Sequence, residues 1–187
     1  MAEEFNWMRK TVEECKGTTC EVLFGWGLDR GEWNPARKAL ADKVFKLISS
    51  IVKDKELGVC LEWPVDVVLS DRDLVHPDVV FVDKDKAAIV HNREVKGSPT
   101  LIVEILENEN DFIQLLLKTA LYEKYEVQEL WIIDPFRKEV NLYIYRYMGN
   151  NNYLEFEGAH GLGDAFVSES LGNSEIEVNQ LFGGEGL

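Results

Sequence analysis

The sequence has few cysteines and few histidines, which argues against the small folds that disulfides or zinc ions hold together. Its three cysteines, Cys15, Cys20 and Cys60, include no CxxC pair, so we expect neither a zinc knuckle nor a disulfide framework. Cys15 and Cys20 could pair in principle, but we expect three reduced thiols, with Cys60 as a small core residue. The three histidines are scattered and lack the spacing of metal ligands.

The sequence also lacks the segments that direct a chain to a membrane or across it. No apolar run approaches the roughly 20 residues that a bilayer-spanning helix needs. The start, MAEEFNWMRK, is acidic and mixed, without the basic stretch and apolar stretch of a secretory signal. We therefore expect a cytoplasmic protein with no membrane partner.

Motifs of several common enzyme classes are missing as well. There is no GxxxxGK[ST] loop to cradle a nucleotide phosphate and no GxSxG turn to expose a nucleophilic serine. No cysteine stands beside an obvious histidine. These absences argue against P-loop, α/β-hydrolase and cysteine-nucleophile chemistry.

Positive charge is scarce, since 20 basic residues face 34 acidic ones and the net charge is −14. Proteins that grip nucleic acid usually present basic patches, because phosphate contacts supply much of the affinity. The acidic balance argues against strong non-specific binding to DNA, although a local basic groove remains compatible with it.

The 187 residues, 45% of them hydrophobic and 29% charged, suit one globular domain with a sizeable core. We predict a single domain over residues 1–187, with residues 1–19 as an N-terminal extension. Residues 20–33 resemble a short strand pair that turns at Gly25, Gly27 or Gly31. An amphipathic helix should follow, because Asn34 is a good N-cap, Pro35 suits the first helical position and apolar residues then recur at helical spacing.

The rest of the chain alternates between strands and a second helix. Four strand-like runs (GVCLEW, VDVVLS, DVVFVD and TLIVEIL) precede the helical segment ENDFIQLLLKTALYEKYEV. The strand ELWIID comes next, and then a hairpin that turns at GNNN. This order predicts an α/β or α+β fold, a mixed sheet with at least one helix on each face.

Two carboxylates stand where apolar residues would be ordinary. Glu104 interrupts the run TLIVEIL, and alternation places it on the strand face opposite Val103. An unpaired buried carboxylate costs several kcal/mol, so Glu104 needs a metal ion, a raised pKa or a basic partner such as Arg93 or Lys96. Asp78 opens the run DVVFV, where a turn cap and a ligand are equally compatible with the spacing. If the two strands are neighbours, both carboxylates can face one hollow and hold Mg²⁺.

The second helix offers a basic group close to these acids. The helix that carries Lys118 begins soon after Glu104, so the long side chain of this lysine can reach the end of that strand. The alternative interpretation is that Lys118 is a solvated helix residue. It belongs to a stripe of polar and aromatic residues at helical spacing: Asp111, Gln114, Lys118, Tyr122 and Tyr125. His76, two residues before Asp78, is a further candidate for the same hollow.

Aromatic residues are numerous, and we interpret most of them as packing residues rather than as platforms for stacking bases. Tyr143, Tyr145 and Tyr147 share one face of a strand. We expect these three tyrosines to form either an exposed stripe or the surface of a homodimer.

Taken in order, these motifs resemble the Uma-two family of putative restriction endonucleases, within the PD-(D/E)xK nuclease superfamily. The similarity runs from about Glu21 to Phe182. The motifs that carry it are EVLFG, WPVDVVLSDRDLVHPDVVFV, VKGSPTLIVEIL, KTALYEKYEVQELWIIDP and GDAFVSESLGNSEIEVNQLF.

The resemblance implies a restriction-endonuclease-like core and an endonuclease that hydrolyses phosphodiester bonds, with DNA as the substrate. It implies a divalent metal, Mg²⁺ or alternatively Mn²⁺, held by Asp78 and Glu104, with Lys118 as the third catalytic residue. The general superfamily pattern places a lysine two residues after the glutamate, but Leu106 stands there, and in this family the following helix supplies it. Glu21 is a further acid that the resemblance suggests, and Gln114 and Tyr122 accompany Lys118 on its helix.

Several positions depart from the family pattern. ENEN (residues 107–110) replaces a turn of small residues and proline, and Gln114 stands where an aspartate is usual. Arg37 replaces a histidine near the start of the first helix, and Thr100 replaces an aspartate. These changes favour an alternative function, a catalytically degenerate member of the fold that binds nucleic acid or protein.

Overall fold

The computed structural model describes residues 8–29, 34–108, 112–149 and 152–183. The described helices are α1 (Val12–Cys15), α2 (Pro35–Asp54), α3 (Phe112–Lys124) and α4 (Val178–Phe182), with a 3₁₀ helix at Lys84–Ile89. The described strands are β1 (Cys20–Leu23), β2 (Trp26–Asp29), β3 (Gly58–Glu62), β4 (Asp66–Ser70), β5 (Asp73–Val75), β6 (Val79–Asp83), β7 (Val90–His91), β8 (Glu94–Lys96), β9 (Leu101–Ile105), β10 (Glu129–Asp134), β11 (Glu139–Arg146), β12 (Tyr153–His160), β13 (Ala165–Ser168) and β14 (Ser174–Glu177).

The strands form two six-stranded sheets and one two-stranded ribbon. The first sheet has the order β2-β1-β5-β4-β8-β7, the second has the order β12-β11-β10-β9-β6-β3, and β13 pairs with β14. In the second sheet β9 runs parallel to β10 and antiparallel to β6, so this sheet is mixed. The predicted fold class is confirmed.

The second sheet carries a helix on each face, as the sequence predicts. The side chain of Asn34 accepts a hydrogen bond from the backbone N–H of Ala36 at 2.8 Å and so caps α2. The apolar face of α2 packs with Phe81 and Val103 on one side of the sheet, and Leu121 of α3 packs with Ile102 on the other. Each buried helix face removes apolar surface from water, which stabilises the layered arrangement.

The hairpin of β1 and β2 turns at Phe24 and Gly25, whose φ angles of 54° and 82° lie in the left-handed region that two-residue hairpin turns use. Of the predicted turn glycines, Gly27 lies within β2, and Gly31 lies outside the described residues. Both strands belong to the first sheet, where β1 also pairs with β5. The hairpin, which carries Glu21 on β1, is thereby joined to the rest of the first sheet.

The expectation of three reduced thiols is wrong for two of them, because Cys15 and Cys20 form a disulfide. Gly17, with a φ of 66°, turns the chain between α1 and β1 and brings the two Cα atoms to 4.9 Å. Cys60 is half-buried against the main core, where burial raises the pKa of its thiol to about 12. The predicted packing role fits Cys60.

The predicted stripe of tyrosines is largely covered. Tyr145 is buried, Tyr143 is half-buried against Phe156, and only Tyr147 of the three is well exposed, at 62%. The reason is that β12 and α3 pack beside this strand, which alternation within one strand does not reveal. Of the predicted turn GNNN, the second and third residues (150 and 151) lie outside the described residues. Among the residues that are described, no helix is long and apolar enough to cross a bilayer.

Candidate active site

Asp78 and Glu104 lie on adjacent strands. The ladder between β6 and β9 pairs Val79 with Val103, and each acid is one residue beyond this pair. The backbone N–H of Asp78 donates to the carbonyl of Val103 at 3.0 Å, and the carbonyl of Asp78 accepts from Trp63 at 3.1 Å. The backbone of Asp78 is therefore fixed from both sides, which gives its carboxylate a defined position.

The carboxylate of Asp78 is fully buried and is bound by an arginine. Arg37 Nε lies 2.7 Å from Oδ1 and Arg37 Nη2 lies 2.9 Å from Oδ2, a bidentate pair. The backbone N–H of Ile105 donates to Oδ2 at 2.7 Å. A turn cap alone does not describe these contacts, because Asp78 joins the start of α2 to the end of β9.

Glu104 has a basic partner, and that partner is Lys118 rather than Arg93 or Lys96. Lys118 Nζ lies 2.6 Å from Glu104 Oε1, and the hydroxyl of Tyr122 donates to the same oxygen. The side chains of Arg93 and Lys96 instead contact Pro64 and Glu94. Lys118 is only 3% exposed, so its interpretation as a solvated helix residue is wrong.

Glu21 connects Lys118 to His76. Glu21 is fully buried, and its Oε1 accepts from Lys118 Nζ at 2.8 Å and from the backbone N–H of His76 at 2.8 Å. His76 Nε2 lies 2.9 Å from Asp66 Oδ1. Burial opposes ionisation of Asp66, but hydrogen bonds from His76 and from the backbone of Gly17 outweigh it and lower the pKa of that carboxyl. Glu21 and His76 thus border the cluster formed by Lys118.

The remaining residues of the α3 stripe differ in their burial and in their contacts with the cluster. Tyr122 is fully buried at the cluster, and Tyr125 donates to Asp73 at its margin. Gln114 lies half-buried one turn before Lys118, and none of the hydrogen bonds between described residues joins it to the cluster. Asp111 lies outside the described residues.

Arg37 and Glu107 complete the cluster, and reasoning from spacing alone missed both roles. Arg37 Nη1 lies 2.5 Å from Glu107 Oε1 while the rest of the guanidinium binds Asp78. Both residues occupy positions where the chain departs from the family pattern, Arg37 at the usual histidine and Glu107 in ENEN. That coincidence of departures was the available signal, and in the fold the two changed positions contact each other.

The donor chemistry suits a hard divalent cation. Four carboxylates (Asp78, Glu104, Glu21 and Glu107) face two basic groups (Arg37 and Lys118), a formal charge of −2 when all are ionised. Within the described ranges no group of three or more acidic, histidine or cysteine side chains is arranged to enclose a metal. Asp78 and Glu104 alone would supply two oxygen ligands, which fits Mg²⁺ because this ion keeps several waters and takes further ligands from substrate phosphates.

Comparison with known proteins adds two findings. A family model, Uma2, described as a putative restriction endonuclease, matches residues 30–178. The chain is also similar to a solved structure, described as a putative nuclease belonging to DUF820 from Anabaena variabilis ATCC 29413, with a TM-score of 0.70 and 16% sequence identity. The similarity covers 92% of this chain and 97% of the other, and it supports the fold. No curated protein matches the chain.

Proposed function

Because the chain belongs to the Uma2 family of putative restriction endonucleases, we propose that it is a metal-dependent endonuclease that hydrolyses phosphodiester bonds in DNA. One observation carries the proposal: Glu104 is buried in a central strand, contacts Lys118 and Tyr122, and lies beside Asp78. A purely structural strand would accept an apolar residue at this position at no desolvation cost. A carboxylate held there beside a second one is suited to binding a cation.

Asp78 and Glu104 are the residues that would hold Mg²⁺ or Mn²⁺. When bound, such an ion can activate water and stabilise the negative charge that develops on a phosphodiester. Arg37 binds both oxygens of Asp78, so this carboxylate would have to release a guanidinium contact in order to hold an ion. The protein's part is to hold both acids buried and adjacent.

Lys118 would position the attacking water or a phosphate oxygen. As an ammonium it has three N–H donors, and its contacts with Glu21 and Glu104 account for two of them. Glu21 fixes the ammonium from the side of the first sheet, and Glu104 fixes it from the second. The side chain is therefore oriented before substrate arrives, which is what electrostatic stabilisation of a transition state requires.

The alternative function is a catalytically degenerate member of the fold that binds nucleic acid or protein without cleavage. The salt bridge from Arg37 to both Asp78 and Glu107 favours it, since a permanent guanidinium would occupy the position of a metal. Under this alternative Arg37 replaces the cation, and the cluster is structural.

Cleavage and metal binding distinguish the two functions. The purified chain should cut plasmid or linear DNA with Mg²⁺ or Mn²⁺, and Glu104→Gln should lower the rate at least a hundredfold, while the exposed control Glu175→Gln should not. Calorimetry should show Mn²⁺ binding that Glu104→Gln abolishes. Cleavage that persists in Glu104→Gln would sink the assignment of the site. A wild-type chain that neither binds Mn²⁺ nor cuts would establish the degenerate alternative.

We also propose a cytoplasmic location and one functional domain over residues 1–187, with residues 1–19 as an extension. Within the described residues of that extension, α1 packs with β1 and its Cys15 bonds to Cys20. A homodimer on the hairpin of β11 and β12 is a further proposal, and exposed Tyr147 and Phe156 support it. A sizing column would test it, because Phe156→Ser should then shift the elution toward the monomer.

A further inference from the structure

The tip of the β1–β2 hairpin exposes two aromatic side chains beside the candidate active site. Trp26 is 45% exposed and Phe24 is 37% exposed, although large aromatic residues usually bury most of their surface. Together with Leu23 and Leu117 they line an open apolar hollow of about 360 Å³. Exposed rings at a hollow of this kind are costly in water and indicate a binding surface.

The hollow is built on the same two elements, β1 and α3, that carry Glu21 and Lys118. In the hairpin register Leu23 pairs with Trp26, and Glu21 lies two residues before Leu23, so these side chains share one face of the hairpin. Glu21 binds Lys118, and Leu117 precedes Lys118 on α3. The aromatic tip therefore lies close along both elements to the residues of the cluster.

Basic side chains gather at the same tip, in a chain whose net charge is −14. Arg9 lies over the ring of Trp26 at 5.6 Å from its centroid, and Lys124 lies over the ring of Phe24 at 5.4 Å. The side chain of Arg72 passes so close to Gly25 that an added Cβ would lie 2.8 Å from Nη2. Part of this charge is balanced, because Lys124 also contacts Asp73 at 3.0 Å.

Proteins bind single-stranded nucleic acid with exposed aromatic rings interleaved with basic side chains, because bases stack on the rings and phosphates contact the cations. We propose that the hairpin surface, made of Phe24, Trp26, Arg9, Arg72 and Lys124, binds unpaired bases of the nucleic-acid substrate beside the active site. This inference rests on the proposed nuclease function and narrows its substrate to single strands or to duplexes with unpaired segments. Charge complementarity favours a polyanion over an apolar protein partner.

The test is fluorescence anisotropy of a labelled single-stranded oligonucleotide in EDTA, where binding is measured without cleavage. The wild-type chain should bind the single strand at least tenfold more tightly than a blunt duplex of the same sequence. Trp26→Leu should weaken single-strand binding about tenfold, since the variant has no ring on which a base can stack. Trp26→Phe should restore part of the affinity because it retains an aromatic face.

Two further variants test the contribution of positive charge and the effect of substituting an exposed aromatic residue elsewhere on the surface. Phe136, in the turn between β10 and β11, is 49% exposed, and Phe136→Leu should leave the affinity unchanged. Arg72→Gln should weaken binding and flatten its dependence on salt by about 0.7 in the logarithmic slope, the value for one lost phosphate contact with a single strand. Circular dichroism spectra that match the wild type would show that the variants fold.

The outcomes separate this inference from the proposed function. Cleavage of DNA together with binding that Trp26→Leu does not change would overturn the inference and leave the nuclease intact. Binding that depends on Trp26 without any cleavage would uphold the surface and favour the degenerate alternative for the cluster. Self-association that Trp26→Leu abolishes, with no binding of the oligonucleotide, would overturn the inference in favour of a contact between copies of the chain.

Discussion

Arg37 donates hydrogen bonds to both carboxylate oxygens of Asp78, from Nε at 2.7 Å and from Nη2 at 2.9 Å, in a buried bidentate pair. The same guanidinium contacts Glu107 from the segment that follows β9. An arginine so placed balances the charge of the carboxylate, and it would compete with the proposed metal ion for the same oxygens. Removal of this arginine should therefore change both the stability of the protein and its response to a metal ion.

Arg37→Gln should destabilise the metal-free protein by about 3–5 kcal/mol, because it leaves the charge of Asp78 buried beside an uncharged neighbour. Mn²⁺ should then raise the melting temperature of Arg37→Gln more than that of the wild type, since a ligand that binds only the folded state stabilises it. Thermal unfolding with and without Mn²⁺ is the measurement. The control is Lys38→Gln, an exposed neighbour paired with Asp42. Equal shifts in wild type and variant would show that Arg37 does not compete with the ion.

Lys118 and Glu21 should be energetically coupled. Lys118→Met leaves two buried carboxylates beside an apolar side chain, whereas Lys118→Met combined with Glu21→Gln removes one of those charges. Urea unfolding of the two single variants and the double variant should give a coupling energy of about 1–3 kcal/mol. Additive effects of the two substitutions would mean that the 2.8 Å contact contributes little to folding.

Tyr122→Phe should cost about 1–2 kcal/mol of folding free energy, because Glu104 loses a hydrogen bond from a buried hydroxyl. If the proposed site is correct, the variant should also cut DNA more slowly, since Glu104 is less well oriented. Tyr143→Phe provides the comparison, as Tyr143 is half-buried and packs against Phe156. A loss of stability of equal size in both variants would argue against a specific role for the Tyr122 hydroxyl.

The stability of the hairpin should depend on the ionisation of Asp73. Burial opposes its ionisation, but hydrogen bonds from Tyr125, Lys124 and the backbone of Phe24 outweigh burial and lower the pKa of the carboxyl below 3.8. A lowered folded-state pKa gives stability that is present above the unfolded-state pKa and is lost as the pH falls through the folded-state value.

Wild-type protein should therefore lose stability more steeply than Asp73→Asn does as the pH falls below about 4, because the variant cannot gain that proton. Urea midpoints measured across this range test the expectation. Glu175→Gln, an exposed substitution on β14, should follow the wild-type curve. Parallel curves for wild type and Asp73→Asn would rule out a contribution from this carboxylate.

The sequence predicts the residues of the cluster better than it predicts their partners. Alternation along TLIVEIL is enough to show that Glu104 is out of place in a buried strand, and the neighbouring strand then draws attention to Asp78. The partner of Glu104 depends on how α3 crosses the sheet, which no spacing within one element specifies. The sequence suggests Arg93 or Lys96 as that partner, and it offers Lys118 only as a base within reach because its helix begins soon after the strand.

Other features escaped prediction because they depend on tertiary packing. An arginine in the first turn of a helix is expected to be solvated. The burial of Arg37 in α2 follows only from the fold, which places Asp78 beside it. The exposure of Trp26 runs against the usual burial of tryptophan, and the burial of Tyr145 depends on neighbouring elements. The bond between Cys15 and Cys20 depends on the left-handed turn at Gly17.

An acidic protein with a basic hairpin tip selects the direction from which a polyanion can arrive. At a net charge of −14 most approaches are repelled, whereas Arg9, Arg72 and Lys124 offer attraction on one side. A nucleic acid strand would be turned during its diffusion, before any contact forms, so that it meets the molecule at Trp26 and next to Lys118. In this way the charge asymmetry would sort encounters by orientation, and contacts elsewhere on the surface would be rare.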